Sequence, residues 1–196
     1  MKYDNFSIEY FGPMTDIDAP FALRHDIYCT QNAFLPGKLC GLELDTYDAH
    51  AVQAVISRAA TLEAVAVVRV IPCGRAYTLP FDDFEPGIAK GQHWGEVSRI
   101  GISNTVGLKV EERREVLCHP FKAVYQLSLD IGVSHWACMM PTALQVRMAM
   151  RGVTFNAIGE PVEYHGLRQP CVGVAHRILS SLETDDQSMY NFIINR

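Results

Sequence analysis

The sequence predicts an α/β fold, a mixed β-sheet flanked by helices. Three observations predict it. A valine-rich run at 63–72 (EAVAVVRVIP) has the length and composition of a buried strand and is closed by proline. Residues 95–103 (GEVSRIGIS) read as a half-buried strand with apolar residues at Val97, Ile100 and Ile102. Helix-length segments at 111–132 and 142–150 alternate with further strand-like runs, an order that implies helices packed on a sheet.

The elements follow in order. Residues 3–10 alternate loosely and suit a strand or an arm. Residues 20–29 place Phe21, Leu23, Arg24, Ile27 and Tyr28 at helical spacing after a proline start. Pro36, Gly37 and Gly41 make 32–41 a loop. Residues 49–57 are apolar and read as a strand, joined to 63–72 by a turn at 59–62 as a hairpin. Residues 79–84 are too short to assign. In the helix at 111–132, Pro120 demands a kink or a break. Residues 133–140 read as a strand, and 142–150 as a helix stopped by Gly152. Late strands are expected at 153–158 and 169–178, with a turn through Gly159 and Gly166. Residues 180–191 are polar, and the end from 180 to 196 is expected to fray.

Composition narrows the function. The 196 residues suit a single domain spanning 1–196, with 48% apolar and 20% charged residues, as in a soluble globular protein. A chain of this size buries roughly 70% of its unfolded surface and needs no staples. The net charge of −5 and the lack of a basic stripe argue against nucleic acid. Six cysteines at 29, 40, 73, 118, 138 and 171 form no CxxC pair and no zinc spacing, so no metal is expected; they read as reduced thiols of a cytoplasmic protein. No signal peptide is visible in the first eleven residues, and no apolar run reaches the roughly 20 residues of a membrane span. A monomer is the default expectation.

One set of residues does not read as ordinary packing: Arg24, Glu43, Asp45, Asp48, Arg69, Glu96 and Arg99. Each lies in or beside an apolar segment. Arg69 interrupts a valine run, where an unpaired charge is costly. Charges so placed must pair, and arginine's planar fork suits carboxylates. The pattern fits a buried salt-bridge network that only fixes the fold. It also fits a site that handles a charged, polar small molecule, the reading preferred here.

The ordered blocks LRHDIYC at 23–29, Phe34, ELDTYD at 43–48, VRVIP at 68–72, Leu79-Pro80 and EVSR at 96–99 resemble the LuxI-type acyl-homoserine lactone synthases. RHDIYCTQNAFLP at 24–36 and VEYHGLRQPC at 162–171 are more similar still to their relatives, the long-chain N-acyl amino acid synthases and the PEP-CTERM/exosortase-associated acyltransferases. The resemblance spans roughly residues 20 to 178. It implies a GNAT-like fold whose splayed central strands admit the pantetheine arm of an acyl donor. It also implies an N-acyltransferase that moves a fatty acyl group from a carrier-protein or CoA thioester to an amino acid's amine, with no permanently bound cofactor.

Several roles come with the resemblance. Glu96 is the candidate general base, with Ser98 and Arg99 beside it in the catalytic strand. Ile100, Gly101 and Ile102 continue that side of the splay, where backbone N–H groups would hydrogen-bond the thioester carbonyl. Arg24, Arg69 and Arg99 either hold the acids or receive the acceptor's carboxylate. Asp45 and Asp48 either orient its ammonium group or pair with those arginines. Tyr28 and Phe34 keep an aromatic wall where lactone synthases usually have Phe and Trp. SNTVGLK at 103–109 replaces the pyrophosphate loop of many GNAT enzymes, which suits a carrier-protein donor. Lys109, Arg113 and Arg114 would then meet an acidic acyl carrier protein, unless they form an ordinary solvated helix face.

His165, with Tyr164 and Arg168, reads as a turn anchor rather than a catalytic group; His50 is a weaker candidate base. Cys29 and Cys171 lack the paired histidine of a nucleophile. Residues 136–144 read as core rather than as an acyl tunnel. The alternatives are a lactone synthase using S-adenosylmethionine and a non-catalytic acyl-binding domain on the same fold.

Overall fold

A computed structural model describes residues 3–13, 17–74, 79–84 and 91–195. Its strands are β1 (Phe6–Phe11), β2 (Val52–Arg58), β3 (Ala64–Pro72), β4 (Trp94–Ile102), β5 (His135–Met140), β6 (Asn156–Ala157), β7 (Val162–Glu163) and β8 (Leu167–Val174). Its helices are α1 (Ala19–His25), α2 (Val110–Val116), α3 (His119–Ile131), α4 (Thr142–Ala149), α5 (Ala175–Asp185) and α6 (Gln187–Ile194). The sheet runs β1-β2-β3-β4-β5-β8-β6, with β7 paired to β8 off that path. Every neighbouring pair is antiparallel except β4 and β5, which run parallel.

The predicted hairpin forms: Leu62 N–H donates to the Arg58 carbonyl at 2.8 Å and β2 and β3 pair along their length. In β3, Val65, Val67, Val68, Val70 and Ile71 are all fully buried, so both faces are covered, which is why the run is continuous rather than alternating. This interior strand, third in the sheet order, therefore carries Arg69 into the core.

Pro120 breaks the predicted long helix. α2 stops at Val116, and α3 restarts with Pro120 in its first turn, where a missing N–H breaks no helical bond. Gly132 closes α3 at φ +72°, a left-handed cap that an L side chain would strain.

The structure differs from the sequence reading at the C-terminal end. The strand expected over 169–178 stops at Val174, and α5 begins at once. Ala175, Ile178 and Leu182 are buried at helical spacing, but Cys171, Val172 and Val174 run straight into them, so the change of period is hidden. Residues 180–191, expected to fray, lie in α5 and α6. Leu182, Met189 and Ile193 pack into the main core, Asp186 caps α6 through the Met189 N–H, and the Gln126 amide of α3 donates to the Ile193 carbonyl at 3.0 Å. A few apolar residues spaced through a polar sequence are enough to dock such helices.

Among the described residues no helix is long and apolar enough to cross a membrane, and no group of three His, Cys, Asp or Glu residues is placed to hold a metal ion.

Candidate active site

The β4–β5 ladder is short. It pairs Trp94 with His135, Gly95 with Trp136 and Glu96 with Ala137, and there it ends. β5 meanwhile stays paired with β8 along its whole length. Beyond Glu96 the two parallel strands part, and among the described residues the edge of β4 facing β5 has no ladder partner.

A β-bulge adds to the divergence. Arg69 pairs with Ser98 and Val67 with Gly101, so β4 carries one extra residue. Arg99 sits at this bulge with φ +52°, an uncommon conformation for a residue with a Cβ. The step from Val97 to Ile100 in the sequence is the trace of this bulge.

The gap holds a cavity of about 240 Å³. Val97, Ser98, Arg99 and Ile100 form one wall, and Cys138, Met139 and Met140 the other. Its inner end is apolar and buried, built from Trp136, Phe155, Met148 and Val124, whereas Phe34, Ile100 and Leu144 at its lining are exposed to solvent. The segment read as plain core, 136–144, thus supplies much of the cavity lining. Periodicity could not reveal this, because a core wall and a cavity wall are equally apolar.

Three arginines and three carboxylates form a closed network beside this cavity. Arg24, wholly buried on α1, donates from Nε to Glu43 at 2.6 Å and from Nη1 to Asp48 at 2.6 Å and to the Gln53 amide oxygen at 3.0 Å. Arg69, also wholly buried, donates to Asp45 at 2.7 Å, to Asp48 at 3.0 Å and from Nε to the Ser98 hydroxyl at 3.1 Å. Arg99 donates to Glu43 at 3.0 Å and to Asp45 at 3.2 Å. The acids are pre-shaped: Asp45 caps the turn Thr46–Ala49, and Asp48 accepts the Asp45 N–H in return. Burial alone would raise the Asp48 carboxyl, but Arg24 and Arg69 outweigh it and hold it at about 2. Removing one partner from so buried a pair costs about 3–5 kcal/mol.

Glu96 stands outside that balance. It is 4% exposed, it lines the cavity, and one carboxylate oxygen accepts the Phe81 N–H at 2.6 Å. Among the described residues Arg99 forms its ion pairs with Glu43 and Asp45, not with Glu96. Three cations already face three anions, so Glu96 is the surplus acid. Burial pushes its pKa from an ordinary 4.5 up to about 7, against the Phe81 hydrogen bond and the more distant charges of Arg69 and Arg99. A carboxylate poised near neutrality in an apolar cleft can take and release a proton.

The aromatic wall comes from an irregular turn. α1 continues into one π-helical stretch, Asp26–Gln31, which carries Tyr28. The Arg99 guanidinium lies 5.7 Å from the Tyr28 ring centre, and Phe34 lies 6.4 Å beyond Tyr28. Gly101 lets this turn approach β4: a Cβ there would stand 2.9 Å from the Ile27 side chain and 3.3 Å from the Tyr28 ring.

Of the residues singled out in the sequence, Tyr28, Phe34, Glu96, Ser98, Arg99 and Ile100 line the cavity. Arg24, Asp45, Asp48 and Arg69 sit behind it as the network. Gly101 and Ile102 do not line it: the bulge turns Gly101 against the π-helical turn, and Ile102 packs on the cluster of Phe6, Ile56 and Val65. Ser98 supports Arg69. Lys109, Arg113 and Arg114 are exposed at the start of α2, where Arg113 Nε also donates to the Leu108 carbonyl. Arg168, read as a turn anchor, does bond the Tyr164 and His165 carbonyls, yet all three residues also line the cavity.

Comparison with protein-family models gives no match, and neither does comparison of the sequence with curated proteins. Solved structures do match. A CoA-dependent acyl-homoserine lactone synthase, BjaI, superposes with a TM-score of 0.71 at 18% identity, over 96% of this chain and 89% of its own. TofI, solved in a ternary complex with an inhibitor and MTA, gives 0.70 at 18% identity over 93% and 98%. The chain has the acyl-homoserine lactone synthase fold. That fold extends to FeeM, an N-acyl amino acid synthase from uncultured soil microbes, with a TM-score of 0.59 at 14% identity over 90% and 93%. The GNAT-like arrangement expected from the resemblance is the one observed.

Proposed function

We propose that the protein is an N-acyltransferase that moves a fatty acyl group from a carrier-protein or CoA thioester to the α-amine of an amino acid. The observation that carries this reading is the parting of β4 and β5 around a cavity, with a buried acid of pKa about 7 at its head. The apolar inner end takes the acyl chain. The free edge of β4 past Glu96 offers backbone N–H groups to the thioester oxygen as it becomes an oxyanion. The acceptor amine attacks the carbonyl carbon while Glu96 takes its proton, directly or through a water. The tetrahedral intermediate collapses, the C–S bond breaks, and the thiolate leaves and is protonated. The products are an N-acyl amino acid and a free thiol. The network of Arg24, Arg69 and Arg99 with Glu43, Asp45 and Asp48 holds Ser98 and the Arg99 bulge in place. Lys109, Arg113 and Arg114 dock the acidic carrier protein.

A second reading has one observation in its favour. The superposition on BjaI is better than that on FeeM, and BjaI is also known with SAM and isopentyl-CoA. On that reading the acceptor is S-adenosylmethionine and the product a lactone. Mass spectrometry of lipid extracts from cells overproducing the protein or its E96Q variant separates the two. An N-acyl amino acid absent from the variant supports the first reading, and an acyl-homoserine lactone supports the second. No new acylated amine with either amino acids or S-adenosylmethionine supplied, and none from purified protein with acyl-carrier and acyl-CoA donors, refutes both.

A further inference from the structure

Of the arginines around the cavity, three are committed to carboxylates and one is not. Arg24, Arg69 and Arg99 share Glu43, Asp45 and Asp48 between them. Arg168, near the start of β8, lines the same cavity and forms no ion pair among the described residues. Its guanidinium is nonetheless fixed in place. Nε donates to the Tyr164 carbonyl at 3.3 Å, Nη2 donates to the His165 carbonyl at 2.8 Å, and the group lies 5.5 Å from the centre of the Phe34 ring. Both backbone bonds use the turn between β7 and β8, where His165 and Gly166 adopt positive φ. The nearest acid in the chain, Glu163, accepts the Gly166 N–H at 3.0 Å and so serves the turn. Among the described residues Nη1 has no hydrogen-bond partner.

Among the described residues the cavity therefore presents two ionisable groups without an ion pair, the Glu96 carboxyl and the Arg168 guanidinium. A zwitterion is complementary to both. Resting on the acyltransfer reading above, we infer that Arg168 receives the carboxylate of the acceptor and so restricts the enzyme to amines that carry one. The acceptor's amine is then left to Glu96. An arginine held in position by backbone carbonyls and an aromatic ring loses little freedom on binding, and its fork suits a carboxylate. Arg168 is thus a specificity-determining residue. It replaces Arg24, Arg69 and Arg99 as the carboxylate receptor, because their charges are already matched by Glu43, Asp45 and Asp48.

Binding of product-like probes tests this without turnover. N-hexanoyl-, N-octanoyl- and N-lauroylglycine, and the matching glycinamides, are titrated by calorimetry into wild-type protein, R168Q and R168K. The expected result is a preference of wild type for the acid over the amide of about 10-fold or more, the range of a charge-assisted hydrogen bond. R168Q loses that preference while its affinity for the amide stays at the wild-type value, and R168K keeps part of it. Equal binding of acid and amide by wild type overturns the assignment. So does an equal loss of both in R168Q, which would make Arg168 a support of the turn. A parallel titration compares S-octanoyl-pantetheine with its 4′-phosphate. A preference for the phosphate that R168Q removes, without one for the carboxylate, overturns the assignment and moves Arg168 to the donor. Failure of wild type to bind any probe counts against the acyltransfer reading itself.

Discussion

Replacing Glu96 with glutamine should slow the reaction and stabilise the protein at the same time. Gln keeps the shape of the side chain and an oxygen to accept the Phe81 N–H, but it cannot take a proton. Loss of a positioned general base costs about 10²–10⁴-fold in rate. The stability effect follows from the raised pKa. In the unfolded chain the carboxyl ionises near 4.5, and in the folded one near 7. Below about pH 4.5 both states are protonated and there is no penalty. Between 4.5 and 7 the unfolded state gives up its proton first, so folding is progressively disfavoured, and above 7 the penalty is constant. Each pKa unit corresponds to about 1.4 kcal/mol, so the full penalty is about 3 kcal/mol. Gln carries none of it. Denaturant unfolding of both proteins should therefore show E96Q gaining about 2–3 kcal/mol on wild type between pH 5 and pH 8. Thiol release from an acyl donor, measured over the same range, should rise in wild type through about pH 7 and level off. Wild-type turnover by E96Q, or a rate flat from pH 5 to 8, would refute the base. A stability difference independent of pH would refute the buried, surplus carboxyl.

Three further perturbations probe other parts of the site. Gly101→Ala forces its methyl against Ile27 and Tyr28, so it should destabilise by about 1–3 kcal/mol, read as a lower Tm, and weaken donor binding through the displaced aromatic wall. Met148→Trp fills the buried inner end of the cavity and should shift the product profile, read by mass spectrometry, towards shorter acyl chains; an unchanged profile would place the chain elsewhere. Reversing Lys109, Arg113 and Arg114 to Glu should raise KM for an acyl-carrier-protein donor about 10-fold or more at low salt, with little effect on an acyl-CoA donor. Equal effects on both donors would remove the docking role.

How far the sequence reaches is clear from particular residues. Arg69 was conspicuous because a cation inside a valine strand has to be paired, and the three nearby acids could be named from spacing alone. Which acid meets which arginine was not legible, since the pairing depends on how α1, the turn Thr46–Ala49 and three strands converge. That convergence pairs both Asp45 and Asp48 with arginines, one of the two roles the sequence leaves open for them. Arg168 was missed because its neighbours in the chain give it a sufficient local role. Only the fold of β8 beside the loop bearing Phe34 puts it in the cavity. The one signal that could have flagged it was an arginine beside a glycine turn whose neighbouring acid, Glu163, stands opposite Leu167 rather than opposite Arg168.

By itself the sequence determined most strands and helices before 174, the break at Pro120 and six of the charges that pair. These are local consequences of periodicity, proline geometry and the cost of burying charge. It read a strand over 153–158 where only Asn156–Ala157 forms one, and gave no sign of β7. The tertiary structure decided where β4 and β5 part, that Glu96 is left over once the arginines are satisfied, and that the last polar residues fold as helices on the core. Each of these depends on contacts between segments far apart in the chain. Burial and charge balance are properties of the whole packed assembly, and no window of sequence contains them.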